Sequence, residues 1–232
     1  VGLYDTYLAV RHRLHDGDPP EHVAIVITER DLLADGAFDT LSAALGWAFE
    51  YGATRVTVSV SVLDAAVVST LVRELRRVDA PRPVVVRGPE DAALDEGVAV
   101  GSEAEIGTER GGRRDDGRPG DAQSRDAPIR ITVGLGGKAE FAAAVRELAA
   151  DVDAGNLDPE AIDAGDISDR LVFPEEPDLV VKTGAERLSD FAIWQSVYAE
   201  LYFTDVNWRD FRKRDYLRAV LDFQDRQRRF GR

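Results

Sequence analysis

The side chains best suited to chemistry gather in one stretch, 178–231, which reads DLVVKTGAERLSDFAIWQSVYAELYFTDVNWRDFRKRDYLRAVLDFQDRQRRFG. A short strand, Asp178 to Thr183, is expected to lead into a polar turn. That segment carries Lys182, Glu186, Arg187 and Ser189. Two clustered cations and a hydroxyl, with the carboxylate of Glu200 further on, fit an anion site better than a plain core. The blander reading makes these residues ordinary surface ion pairs, which contribute little to stability. Arg226, Arg228 and Arg229 end the last expected helix, where cations also suit the negative end of the helix dipole.

Other chemistries are excluded by composition. The chain has no cysteine, so disulfides, thiolate metal sites and cysteine nucleophiles are absent. The three histidines, His12, His15 and His22, form no metal pattern. His12 and His15 are three apart on an expected helix and read as its solvated surface. A net charge of −14 disfavours nucleic acid, which needs a positive face. Strong acidity with few lysines resembles proteins of extreme halophiles, where salt screens self-repulsion. No apolar run reaches the 18 residues of a membrane span, and no signal peptide is evident. The expected location is cytoplasmic.

The elements that must position these residues follow a strand–helix rhythm. HVAIVIT (22–28) is a continuous apolar run, as in a strand buried on both faces. Further strands are expected at 54–62, 83–86, 129–134 and 178–183, with another around Leu201–Thr204. Helices are expected within 1–21, at 37–51, 64–78 and 139–152, and at about 213–229. The 139–152 helix should turn Phe141, Val145, Leu148 and Val152 inward. Asp158-Pro159-Glu160 reads as a helix start. Trp194, Val197, Tyr198, Leu201 and Tyr202 keep helical spacing and predict a helix whose stripe is core or subunit interface. The expected fold is a single α/β domain over 1–232, with a mostly parallel sheet of about six strands flanked by helices. Residues 97–126 are rich in Gly, Asp, Glu and Arg and read as a disordered insertion within that domain.

The run DLVVKTGAERLSDFAIWQ, then YAELYFTDVNWRDF and RQRRFG, resembles the cis-prenyltransferases, the undecaprenyl (polyprenyl) diphosphate synthase family. The likeness reaches back through GNLDPEAI (155–162), GLGGKAEF (134–141) and HVAIV (22–26). It implies a dimer that condenses isopentenyl diphosphate with an allylic diphosphate, with magnesium compensating charge. Lys182 stands where the family has the arginine of R-T-S-G-E, keeping the charge without the bidentate fork. Arg187 and Ser189 match the arginine and serine that grip isopentenyl diphosphate. Glu200 matches the magnesium-binding carboxylate. Arg229-Phe230-Gly231 matches the R-x-G motif that reaches the partner's site.

The other half of the resemblance is broken. The family's M-D-G-N-G-R-W-A is replaced by Ile27-Thr28-Glu29-Arg30-Asp31-Leu32-Leu33-Ala34. Thr28 takes the place of the catalytic aspartate, and the phosphate-cradling glycines are gone. Glu29 and Asp31 would repel a diphosphate, and their register argues against either replacing the aspartate. The F-S-S-E-N-W motif falls at Val60-Ser61-Val62-Leu63-Asp64-Ala65 without its asparagine and aromatic. The helix at 64–78 is shorter than the family helix that walls the prenyl-chain tunnel.

Three readings follow. The first is a non-catalytic accessory subunit of a heteromeric cis-prenyltransferase, resembling the Nogo-B receptor type. It would pair with a catalytic homologue and contact the membrane peripherally. The second is a divergent but active polyprenyl diphosphate synthase, working as a homodimer. The third is a non-enzymatic isoprenoid-diphosphate-binding protein.

Overall fold

Strand β1 (His22–Thr28) lies in the middle of the molecule because its sequence has no polar face. Its first six residues are all buried. In this computed structural model, residues 2–89, 127–172, 175–184 and 194–229 are described. The expected insertion at 97–126 lies outside them. β1 pairs on one side with β2 (Arg55–Ser61) and on the other with β5 (Leu179–Thr183). β4 (Ile129–Val133), β3 (Val84–Arg87) and β6 (Glu200–Thr204) complete a sheet of order β3-β4-β2-β1-β5-β6. Every pairing is parallel. The expected "mostly parallel" sheet is therefore wholly parallel among the described residues.

One sheet face carries the main core. Ile25, Ile27, Val58, Val60, Ile131, Val133 and Val181 are all essentially inaccessible. Helices α3 (Ala37–Glu50), α4 (Val68–Leu75) and α7 (Lys213–Arg229) contribute Leu41, Leu45, Leu71, Leu75, Leu217 and Val220 to the same cluster. α1 (Leu3–Arg13) adds Leu8 and lies along α7. Trp208 is fully buried, and its indole N–H donates to the Ala37 carbonyl at 3.0 Å. The alternate residues of the strands point to the other face, which is much more polar. Ala24, Val26 and Val180 form a small apolar cluster there, beside buried Thr57, Ser59, Arg130, Thr132 and Lys182.

Two contacts seat β1. The Asp178 carboxylate accepts from the backbone N–H groups of Glu21 and His22, each at 2.8 Å. His22 is buried between Glu176 and Thr57. A carbonyl only accepts, so Nδ1 donates to Glu176 O at 3.2 Å and Nε2 accepts the Thr57 hydroxyl at 2.8 Å.

Several expectations are corrected by packing. No helix spans 194–202: residues 194–198 form a turn, and Leu201 and Tyr202 belong to β6. The open edge of β5 needs backbone partners, and the YAELYFT run supplies them as a strand. Val145 is 43% exposed, because α5 (Gly137–Asp153) presents Ala144 and Leu148 to the interior. The 64–78 helix is shorter than expected. It opens with a 3₁₀ turn, Ala65–Val67, capped by Asp64, and ends at Leu75. Asp158-Pro159-Glu160 starts one 3₁₀ turn, ahead of the short α6 (Ala164–Ser168). His12 and His15 are half-buried rather than fully solvated. His12 bonds Gln224 at 3.1 Å and His15 bonds Asp225 at 2.9 Å, because α1 packs on α7.

Two outcomes are expected. Asp178→Ala leaves two backbone donors of β1 without their charged partner and should cost about 1–2 kcal/mol in denaturant unfolding. Burial holds the His22 imidazole below its ordinary pKa, against the opposing pull of its bond to Glu176. The unfolded chain therefore takes up the proton first. Stability present at neutral pH should fall as pH drops below about 6.5, and His22→Gln should flatten that slope in thermal melts.

Candidate functional site

In an open parallel sheet, ligands bind beyond the carboxyl ends of the strands. Here those ends bring the two halves of the chain together. β1 ends at Thr28, whose side chain caps α2 (Glu29–Leu32). The Thr28 hydroxyl accepts from the Asp31 N–H at 3.2 Å and donates to the Asp31 carboxylate at 2.7 Å. Glu29 turns the other way. Its carboxylate accepts from the N–H groups of Leu63 at 3.0 Å and Asp64 at 3.3 Å, tying the segment after β2 to α2.

Lys182, next to last in β5, pairs with Val26 and is only 3% exposed. Burial pushes its ammonium pKa down, and the negative charge of Asp31 pulls it back up. Gly184 follows with φ +74°, a left-handed conformation that disfavours side chains. A Cβ built there would sit 3.8 Å from an Asp31 carboxylate oxygen. Thr28, Asp31, Lys182 and Gly184 thus converge. A buried ammonium at this end of the sheet, with the charge of Asp31 near but not in ion-pair contact, is suited to receiving an anion.

The other predicted site residues fall elsewhere. Arg187, Ser189, Phe230 and Gly231 lie outside the described residues. Arg229 is the last residue of α7, and its side chain lies outside them too. Glu200 opens β6 opposite Leu179, while Lys182 pairs with Phe203. The two are three residues apart along the sheet, roughly 10 Å at strand spacing. The Glu200 carboxylate is engaged by Arg226 at 2.8 Å, and Arg226 also holds Asp222 at 2.8 Å. Among the described residues no three His, Cys, Asp or Glu side chains are grouped to hold a metal ion. Among the described residues Glu200 alone is therefore a poor fit for magnesium, since that ion seeks several oxygen ligands.

The sequence model described as putative undecaprenyl diphosphate synthase matches residues 118–231. Over that stretch the chain is a cis-prenyltransferase family sequence. A tritrans,polycis-undecaprenyl-diphosphate synthase (geranylgeranyl-diphosphate specific) of Methanopyrus kandleri is 48% identical over 111 residues. That covers 47% of this chain and 41% of the relative. Isoprenyl transferase 1 of Streptomyces coelicolor is 46% identical over 99 residues, covering 41% of this chain and 36% of the relative. The matched stretch thus spans about two fifths of those relatives. The fold likeness extends further. A lavandulyl diphosphate synthase from Lavandula x intermedia, solved with dimethylallyl diphosphate, superposes with TM-score 0.62 at 23% identity. It covers 89% of this chain and 95% of that one. The cis-prenyltransferase sequence match therefore lies in the C-terminal half, while the architecture runs through both.

Sequence reasoning missed how Asp31 is used. It predicted only repulsion of a diphosphate, because nothing in the order of residues shows that β1 lies beside β5. The pair is directly testable. Asp31→Asn should lower the Lys182 pKa further by removing the opposing charge, an effect readable by NMR titration of the lysine ε-methylene signals.

Proposed function

We propose that this chain is a non-catalytic accessory subunit of a heteromeric cis-prenyltransferase. Its catalytic partner would be a homologue with the intact aspartate motif, condensing isopentenyl diphosphate with an allylic diphosphate into a polyprenyl product. One observation carries the reading: the end of β1 has no free carboxylate where the family places its catalytic aspartate. Thr28 stands there with its hydroxyl on Asp31, and Glu29 is committed to two backbone N–H groups. Packing supports it. Leu71 and Leu75 of α4 lie in the same filled core as Val58, Val60, Ile131 and Val133, all at most 1% exposed. That is where the family's longer helix would wall a prenyl-chain tunnel.

On this reading Lys182, Arg187 and Ser189 provide the cationic and hydroxyl contacts for the diphosphate of isopentenyl diphosphate. Arg229-Phe230-Gly231 serve the partner's site across the interface. Magnesium belongs with the substrate diphosphates and the partner rather than with Glu200 alone. Location at the cytoplasmic membrane face follows from the lipid product; no described helix is long and apolar enough to cross a bilayer.

The test is incorporation of labelled isopentenyl diphosphate into lipid. The lone chain should be inactive with geranylgeranyl or farnesyl diphosphate, and activity should appear on mixing with the catalytic homologue. Arg229→Ala should lower turnover of the mixture by about tenfold or more while co-purification persists. Saturable turnover by the lone chain would instead establish a divergent synthase. The position of Asp31 beside Lys182, at the carboxyl ends of β1 and β5, favours that second reading.

A further inference from the structure

Helix α1 is apolar on two sides. One side packs on α7 through buried Leu8. The opposite side carries Leu3, Tyr7, Val10 and Leu14 at successive steps of four, three and four residues. Such spacing places them in one line on the helix. They are 93%, 58%, 49% and 78% exposed. Four large apolar side chains in a row, open to water, are uncommon on a soluble surface and mark an interaction face. A shallow groove of about 320 Å³ runs along the second half of the line, between Tyr7, Val10, Arg11, Leu14, His15 and Asp16.

The charge beside this line indicates what covers it. At 100° per residue, Arg11 and Arg13 fall on the two flanks of the stripe, Arg11 also pairing with Asp225 of α7 at 3.0 Å, and Asp5 falls on the far side. Arg218, paired with Asp215 at 3.4 Å, lies over the Tyr4 ring at 5.2 Å. Together α1 and α7 contain eight Lys or Arg and four Asp or Glu. The whole chain is at −14, so the positive balance of these two helices is a local exception. A second copy of this chain would bring the same positive flanks against each other. An anionic surface that is apolar beneath its charge satisfies the stripe and its flanks at once.

We infer that α1 docks this protein on an anionic lipid bilayer, lying in the interface with Leu3, Tyr7, Val10 and Leu14 inserted among the acyl chains. Arg11 and Arg13 rest at headgroup level, as an interfacial amphipathic helix requires. The inference gives the membrane-face location of the proposed function a physical element. It does not depend on pairing with a catalytic homologue, so the two can fail separately.

The experiment is co-flotation of the full chain with vesicles, in a salt concentration at which circular dichroism shows the fold intact. Vesicles of phosphatidylglycerol with phosphatidylcholine should carry the protein, and phosphatidylcholine alone should carry much less. Leu3→Asp with Leu14→Asp changes only exposed positions and should keep the melting curve while lowering the bound fraction about tenfold or more. Arg13→Glu should weaken binding to the anionic vesicles alone. Equal binding by the double variant overturns the inference, as does failure of the unaltered chain to bind anionic vesicles. So does a dimer in sedimentation that the double variant dissolves without any vesicle binding, because the stripe then belongs to a second copy.

Discussion

The pairing of β1 with β5 is the constraint on which the rest of the molecule depends. It joins residues about 155 positions apart and leaves both strands buried on their two faces. Asp178 sets where the pairing starts, by receiving the N–H groups of Glu21 and His22, while the Asp178 N–H donates to the His22 carbonyl at 2.9 Å. A parallel ladder begun there brings Val26 opposite Lys182 and delivers Thr28 and Gly184 to the same edge. A one-residue slip would move Lys182 to the apolar face.

That geometry also sets the environment of the buried cations. Lys182 sits in the sheet at a depth where a neutral residue would be less costly to bury. The charge of Asp31 offsets part of that cost, and burial still prevails. Arg130 makes a similar compromise on the polar sheet face, where Glu175 receives it and also pairs with Arg55 at 2.9 Å. The Arg130 guanidinium in turn pulls the Glu175 carboxyl below its ordinary range, against the upward push of burial. The region of the lost aspartate motif is rebuilt in local terms: a threonine cap, a one-turn helix and a glutamate tying down the next segment.

How much of this could be read in the sequence depends on how local each signal is. The strands at 22–28, 55–61, 129–133 and 179–183 were legible because a run of Val, Ile and Thr offers no polar side to a helix. The last helix was legible from Tyr216, Ala219, Val220 and Phe223, all buried as expected. The stripe from Trp194 to Tyr202 misled. Helical spacing and strand membership were both open to it, and only the free edge of β5 decides between them. Val145 misled for a similar reason, since the inward arc of α5 is set by where that helix lands on the sheet.

By itself, then, the sequence determined the fold class, the parallel strand rhythm and the family, because period, β-branching and motif are properties of neighbours in the chain. It also placed Thr28, not an aspartate, at the end of β1. Only the tertiary structure decided that Asp31 and Lys182 come to the same end of the sheet, that Glu200 lies at its far end under Arg226, and that α1 keeps an apolar line in solvent. Those are facts about distance between residues remote in sequence. They follow from strand order and helix docking, which no local pattern encodes.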